Sequence, residues 1–192
     1  MTKLTSRAKQ ALETKNRIYE CGVNLIGKHG FDQITVEQIA SEAGVSVGTY
    51  YYYFESKFEL FKEMFKRADE YFLNKIADNL ESSTAPEKIV EFFEKYADFT
   101  YETEIEIVKK IYISDNKMFI TENRPMQAIL QSIIEKGQAS GEFSKSMSSI
   151  ELTNMLFLVG RGVIFDWCLR DGTINLKETM KKVIGIVTKG LN

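Results

Sequence analysis

The chain has 192 residues, 44% hydrophobic and 27% charged, enough for one large core or two small ones. No apolar run reaches the roughly 18 residues of a spanning helix, and the basic start "MTKLTSRAKQALETKNR" has no apolar stretch of a signal peptide, so a cytoplasmic protein without a membrane partner is expected. Cys21 and Cys168 lie far apart and form no CxxC pair, which fits a reducing compartment with both as small core residues.

The net charge of −2 is uneven. Residues 1–28 carry Lys3, Arg7, Lys9, Lys15, Arg17 and Lys28 against Glu13 and Glu20, a local +4 that leaves −6 for the rest. A basic head on an acidic body fits a polyanion partner. Charge alone gives a solvated basic helix face equal standing.

Helical periodicity recurs along the chain and no strand-like alternation of any length occurs. The first helix spans about 7–29, with Ala11, Ile18, Gly22, Leu25 and Ile26 on one side; Gly30 stops it and Phe31 returns to the core. Thr35 opens "TVEQIASEAG" with Gln38 three residues on, a capping box. A second short helix holds four consecutive tyrosines, Tyr50 to Tyr53. Ser56 is the next candidate N-cap, before a long helix with Phe58, Phe61, Phe65, Ala68, Phe72 and Ile76 at spacings of three and four.

"ESSTAP" breaks the chain at 81–86, and Pro86 suits the first turn of a helix bearing Ile89, Phe92, Phe93, Tyr96 and Phe99. A helix near 104–113 follows, then polar "SDNK", then a helix from Pro125. "GQASGEFSKSMS" reads as loop. The next segment, "IELTNMLFLVGRGVIFDWCLRDG", is apolar on two sides. One stripe is Leu152, Leu156, Val159, Val163 and Trp167; the other is Phe157, Leu158, Phe165 and Cys168. Gly160 and Gly162 offer room for a second backbone. A last helix carries Leu176, Met180, Val183, Val187 and Leu191. A terminal pair with apolar surface on two sides needs a partner, so a homodimer is expected through Leu152, Leu156, Val159, Val163, Met180, Val183 and Val187.

The tyrosines find their explanation in "EAGVS", which joins the two short helices. A helix-turn-helix needs a small residue at the crossing (Ala40), a residue tolerant of positive φ in the turn (Gly44), and apolar contacts from both helices (Ile39, Ala43, Val45). Tyr50, Tyr53 and Phe54 share the inner face at i, i+3 and i+4. Tyr51 and Tyr52 then point outward, where a phenol can donate to phosphate oxygen.

The run "GFDQITVEQIASEAGVSVGTYYYYFESKFELF" resembles the DNA-binding domain of tetracycline-repressor (TetR) family regulators. The matching pattern, G-F, T-V-x-x-I-A-x-x-A-G-V-S-x-G-T-x-Y-x-Y-F-x-x-K-x-x-L, covers residues 30–60 at fixed spacing. The resemblance implies an all-α dimer with a three-helix helix-turn-helix domain, set at 1–57, and a helical bundle for ligand binding and dimerisation, set at 58–192. It implies repression at operator DNA, palindromic in the family's manner, released by a small apolar or aromatic effector. Carried over by position, Thr35, Tyr51 and Lys57 would meet phosphate, joined by the outward Tyr52, and Ser46, Val47, Gly48 and Thr49 would face the major groove. Tyr50 departs from the family pattern, which has a smaller apolar residue there. No Lys or Arg lies between His29 and Ser56, so base reading falls to apolar, hydroxyl and backbone contacts or to DNA shape.

The middle helices concentrate aromatics, and the resemblance makes Phe92, Tyr96, Phe99, Tyr112, Phe119 and Trp167 candidates to line an effector pocket. A plain core stripe is the alternative. Glu102, Glu104 and Glu106 read as a solvated run. Arg161, inside an apolar helix, is a candidate to pair with Asp166 or with a ligand anion. One histidine and two distant cysteines make no metal set. No nucleophile–base pair, phosphate loop or cofactor fingerprint argues for an enzyme. A DNA-bound regulator without a small-molecule site is the remaining alternative.

Overall fold

The structure, a computed structural model, describes residues 5–113 and 116–191. The expectations for Lys3 and for Ser114 and Asp115 of "SDNK" lie outside the described residues. The chain divides into two compact units, Met1–Lys66 and Arg67–Asn192. The division falls inside the long helix, so the first unit takes residues 58–66, which the sequence reading gave to the second.

In the first unit, α1 (Ser6–His29) is opened by the Thr5 hydroxyl, which accepts from the Ala8 N–H at 3.3 Å. It closes at Gly30, whose φ of +87° and N–H bond to the Ile26 carbonyl need no side chain. Then come α2 (Val36–Glu42), α3 (Val47–Tyr53) and the start of α4 (Glu59–Tyr71). Their buried faces meet in one core built on Ile18, Ile26, Ile34, Ile39, Tyr50 and Leu60. A Cβ on Gly22 would stand 2.7 Å from Leu60 Cδ1, so glycine sets the approach of α1 to α4. The turn between α2 and α3 uses Gly44 at φ +62°, and Val45 N–H closes it on the Ala40 carbonyl at 2.9 Å.

In the second unit, α4 runs on into a π-helical stretch, Phe72–Ile76. It is followed by α5 (Ala85–Tyr101), α6 (Ile105–Ile111), a short 3₁₀ turn (Lys117–Ile120), α7 (Pro125–Ser140), α8 (Ser149–Leu169) and α9 (Leu176–Lys189). Thr84 and Glu87 form a capping box at the start of α5, and Ser148 and Glu151 form one at α8. α5 packs along α9, while α8 touches α7, α9 and α6. Asp69 receives Nε and Nη2 of Arg124 at 3.0 and 3.1 Å, and the Met126 N–H at 3.2 Å, which fixes the start of α7.

Three expectations change. Gly137–Ser140 is the last turn of α7 rather than loop, and the helix stops at Gly141 with φ +83°. A Cβ on Gly137 would lie 2.5 Å from the Phe143 ring and 2.7 Å from Ala85, so this glycine marks close packing. Gly160 admits the Phe93 ring of α5 rather than a backbone, its Cβ position being 2.6 Å from Phe93 Cε1. And α8 is long and apolar enough to cross a membrane by length and composition, at mean hydropathy 1.3, but half of that span is buried within the unit.

The residues of the expected dimer face divide. Leu152, Leu156, Val163 and Met180 are buried in the unit's own core, and Val159, Val183 and Val187 pack against it. The other stripe divides: Phe157 and Cys168 are buried in the same core, while Leu158 and Phe165 lie outside with Leu169 and Ile186. Leu158 is 64% exposed, Phe165 49% and Leu169 66% on α8, and Ile186 64% on α9. Nothing stands within 4 Å of a Cβ built on Gly162 or Gly185 on these helices. Both stripes of α8 are apolar, so the pattern alone assigns neither to the core.

Candidate DNA-binding face and effector site

α3 divides its four phenols. Tyr50 is fully buried, its ring 5.7 Å from that of Phe54, and its hydroxyl donates to the Ser56 carbonyl at 3.2 Å. Burial pushes that phenol up to about 12. Tyr53 is half-buried against the same core. Tyr51 and Tyr52 are exposed, at 50% and 81%. Tyr51 stands edge-on to Tyr50 at 5.7 Å and Tyr52 edge-on to Tyr53 at 5.0 Å, so the inward pair orients the outward one.

Ser46, Val47 and Gly48 are exposed at the start of α3, and Thr49 is half-buried. Ser46 Oγ accepts from the Thr49 N–H at 3.0 Å, and the two hydroxyls lie 2.8 Å apart. One hydroxyl proton of the pair therefore remains for an outside acceptor. Thr35 is exposed and tied into the capping box of α2, with Thr35 N–H donating to Gln38 Oε1 at 2.8 Å. Beside it, its own N–H and the Thr35 hydroxyl hold the Glu37 carboxyl below the ordinary range. Residues 30–55 contain Asp32, Glu37, Glu42 and Glu55 and no Lys or Arg, so the face is locally acidic.

Lys57, expected to meet a phosphate, has a structural task that the sequence did not show. Its Nζ donates to the carbonyls of Phe31 and Ile34 at 2.6 and 2.8 Å and lies 4.5 Å from the Phe31 ring centroid. Two of its three N–H donors are thus engaged in holding the segment before α2. Arg17 was missed as a structural residue: its Nε donates to the Ala43 carbonyl at 2.8 Å and satisfies the end of α2. Lys15 pairs with Glu63 at 2.8 Å. Arg7 and Lys9, on the first turn of α1, are exposed.

In the second unit, the six aromatics singled out from the sequence separate. Phe92 is fully buried among Phe72, Phe93 and Phe157, a core residue. Phe99 stacks on Tyr71 at 5.0 Å and edges onto Phe72. Tyr96, Tyr112 and Phe119 come together: the two hydroxyls are 2.9 Å apart, and the Tyr112 and Phe119 rings are 4.5 Å apart. Arg161 joins them by donating from Nη1 to the Phe119 carbonyl at 3.0 Å, while Asp166 pairs with Arg170 at 2.9 Å instead. Trp167 lies apart, buried, 6.3 Å from the Tyr101 ring, with no acceptor for its Nε1–H among the described residues. Phe72 and Phe157, which link these rings, were read from the sequence only as helix-stripe residues. A cavity of about 270 Å³, lined by Leu80, Ala85, Lys88, Ile133, Lys136 and Glu142 among others, lies in the same unit. None of the six aromatics lines it.

A short helix presented outward on a fixed three-helix frame, followed by a helical bundle, defines a helix-turn-helix regulator. The family model for bacterial regulatory proteins, tetR family, matches residues 18–64, and that for the C-terminal region of YsiA-like protein matches residues 65–190. The chain belongs to the TetR family of bacterial regulatory proteins, and it is a DNA-binding transcriptional regulator. The fatty acid metabolism regulator protein of Bacillus subtilis is 24% identical over 183 residues, 92% of this chain and 94% of that protein. The transcriptional repressor KstR2 of Mycolicibacterium smegmatis is 21% identical over 192 residues, 95% and 92% of the two chains. The solved structure of the regulator FadR from Bacillus subtilis in complex with stearoyl-CoA superposes with a TM-score of 0.75 at 22% identity, covering 92% of this chain and 99% of that one.

Proposed function

We propose that the protein is a homodimeric cytoplasmic repressor that leaves its operator when the second unit binds an effector with a long apolar body, an acyl chain or acyl-CoA. It acts by binding and catalyses nothing. The observation that carries the effector class is the match to a fatty acid metabolism regulator over 92% of this chain, beside the likeness to a regulator solved in complex with stearoyl-CoA. The rings of Tyr96, Tyr112 and Phe119, which come together in the second unit, support an apolar ligand.

In this reading Thr35, Tyr51 and Tyr52 hold phosphates and Ser46, Val47, Gly48 and Thr49 meet the major groove. Two copies associate through Leu158, Phe165, Leu169 and Ile186, because an exposed apolar face of this continuity marks an interaction site. Footprinting on the DNA flanking its own gene tests the whole. Protection should appear over two half-sites and vanish on adding stearoyl-CoA. Release by an aromatic cation but not by acyl-CoA would overturn the acyl assignment.

A further inference from the structure

The hydrogen bond between Tyr96 and Tyr112 leaves a proton over. Their hydroxyls lie 2.9 Å apart and either can donate. Two phenols bring two protons, and one bond uses one. The second proton has no acceptor among the described residues. Burial pushes both phenols upward, Tyr112 well above its ordinary value, so both remain protonated at neutral pH. A buried donor without an acceptor is costly, and the cost is recovered when an acceptor arrives.

A cation stands beside the pair. The positive charge of Arg161 acts on both hydroxyls, and that of Arg124 on Tyr96. Arg124 is already bound two-pronged to Asp69. Arg161 gives one N–H to the Phe119 carbonyl and meets no carboxylate among the described residues. Its planar fork can give the rest to an oxyanion. The Phe119 ring and the Phe157 ring, 6.2 Å from that of Tyr96, supply apolar walls.

We propose that Tyr96, Tyr112 and Arg161 seat an anionic oxygen of the effector, so that the ligand is an amphiphile with an oxyanion on an apolar body rather than a neutral hydrocarbon or a cation. This rests on the reading of the second unit as the effector site. Carboxylate and phosphate share the required chemistry.

Two dyes with one ring system test it. Anilinonaphthalene sulfonate carries the oxyanion; phenylnaphthylamine has the same body without it. The wild-type full chain should bind the sulfonate more tightly. Tyr112→Phe and Arg161→Gln should each weaken sulfonate binding about tenfold, the scale of one hydrogen bond to a charged group, and leave phenylnaphthylamine within about twofold. Thermal melts confirm that both variants fold, and Arg161→Gln alone suffices should Tyr112→Phe misfold. No preference for the sulfonate, no binding of either dye, or equal losses for both would overturn the proposal. Displacement by stearate distinguishes a carboxylate from the phosphates of stearoyl-CoA. If the variants behave as stated but neither acyl compound displaces the dye, the oxyanion site stands and the acyl reading falls. If both displace it from wild type and variants alike, the acyl reading stands and this site falls.

Discussion

Lys57 Nζ lies 2.6 Å from the Phe31 carbonyl oxygen and 4.5 Å from the centroid of the same residue's ring. One ammonium thus satisfies a carbonyl and rests on an aromatic face, and a second bond to Ile34 extends the tie to the residue before the α2 cap. Removing it strands two carbonyls. Lys57→Ala should cost the first unit about 2 kcal/mol, by the scale of charged hydrogen bonds. Hydrogen exchange in the full chain should quicken around residues 29–36 while the second unit keeps its protection. Wild-type protection together with a markedly shallower salt dependence of DNA binding would show instead that Lys57 acts on phosphate.

The dimer face yields a paired prediction. Phe165→Glu places a charge on the exposed stripe of α8 and should give folded monomers in sedimentation. Val163→Arg buries a charge in the core of the same protomer and should fail to fold, since an unpaired buried cation is not tolerated. Folded monomers from Val163→Arg, or intact dimers from Phe165→Glu, would reverse the assignment of these two residues.

The contrast between these residues shows what was legible in the sequence. The helix-turn-helix could be read because its requirements are local: Ala40 at the crossing, Gly44 at positive φ, and Tyr50 with Phe54 four residues on. The inward and outward phenols followed from helical spacing alone. The α8 face could not be read, because Leu156 and Leu158 are equally apolar and only the packing of α5, α7 and α9 chooses between them. The task of Lys57 was hidden for a similar reason, its acceptors lying 26 and 23 residues upstream. Gly137 resembled a loop residue because close approach of a ring and a flexible turn select the same side chain. Tyr96 and Tyr112 were both noted, but their pairing depends on how α5 meets the end of α6.

Tyr50 gives the first unit a dependence on alkaline pH. The unfolded chain releases its phenolic proton near the ordinary 10.0, while the folded state keeps it up to about 12. Between those values the unfolded state binds fewer protons, so stability falls as pH rises. The contribution is fully present below about pH 10 and is lost progressively toward pH 12, to a maximum of about 3 kcal/mol. Tyr50→Phe should lose about 1 kcal/mol at neutral pH, from the bond to the Ser56 carbonyl, and should flatten the alkaline decline. An equal decline in the variant would assign it to other groups, with Tyr96 and Tyr112 of the second unit first in line.

The salt dependence of operator binding follows from where the cations are. Residues 30–55 bring none, Lys57 is tied to two carbonyls, and Lys15 is paired with Glu63. Arg7 and Lys9 at the start of α1 are exposed and able to reach a phosphate. Two per protomer gives about four neutralised phosphates in a dimer, hence a slope of log K on log salt near −3.5. Phenols and backbone N–H groups release no counterion, so they add affinity without steepening it. Arg7→Ala should therefore make the slope shallower by about two units per dimer. Tyr51→Phe should weaken binding by about 1 kcal/mol at every salt concentration and on every operator variant, because the phosphate it meets carries no base identity. Filter binding across a salt series separates the two variants. A slope of about −8 or steeper would mean that the basic head lies along the DNA more fully than Arg7 and Lys9 alone provide, and a Tyr51→Phe variant with altered base preference would mean that α3 meets the groove in another orientation.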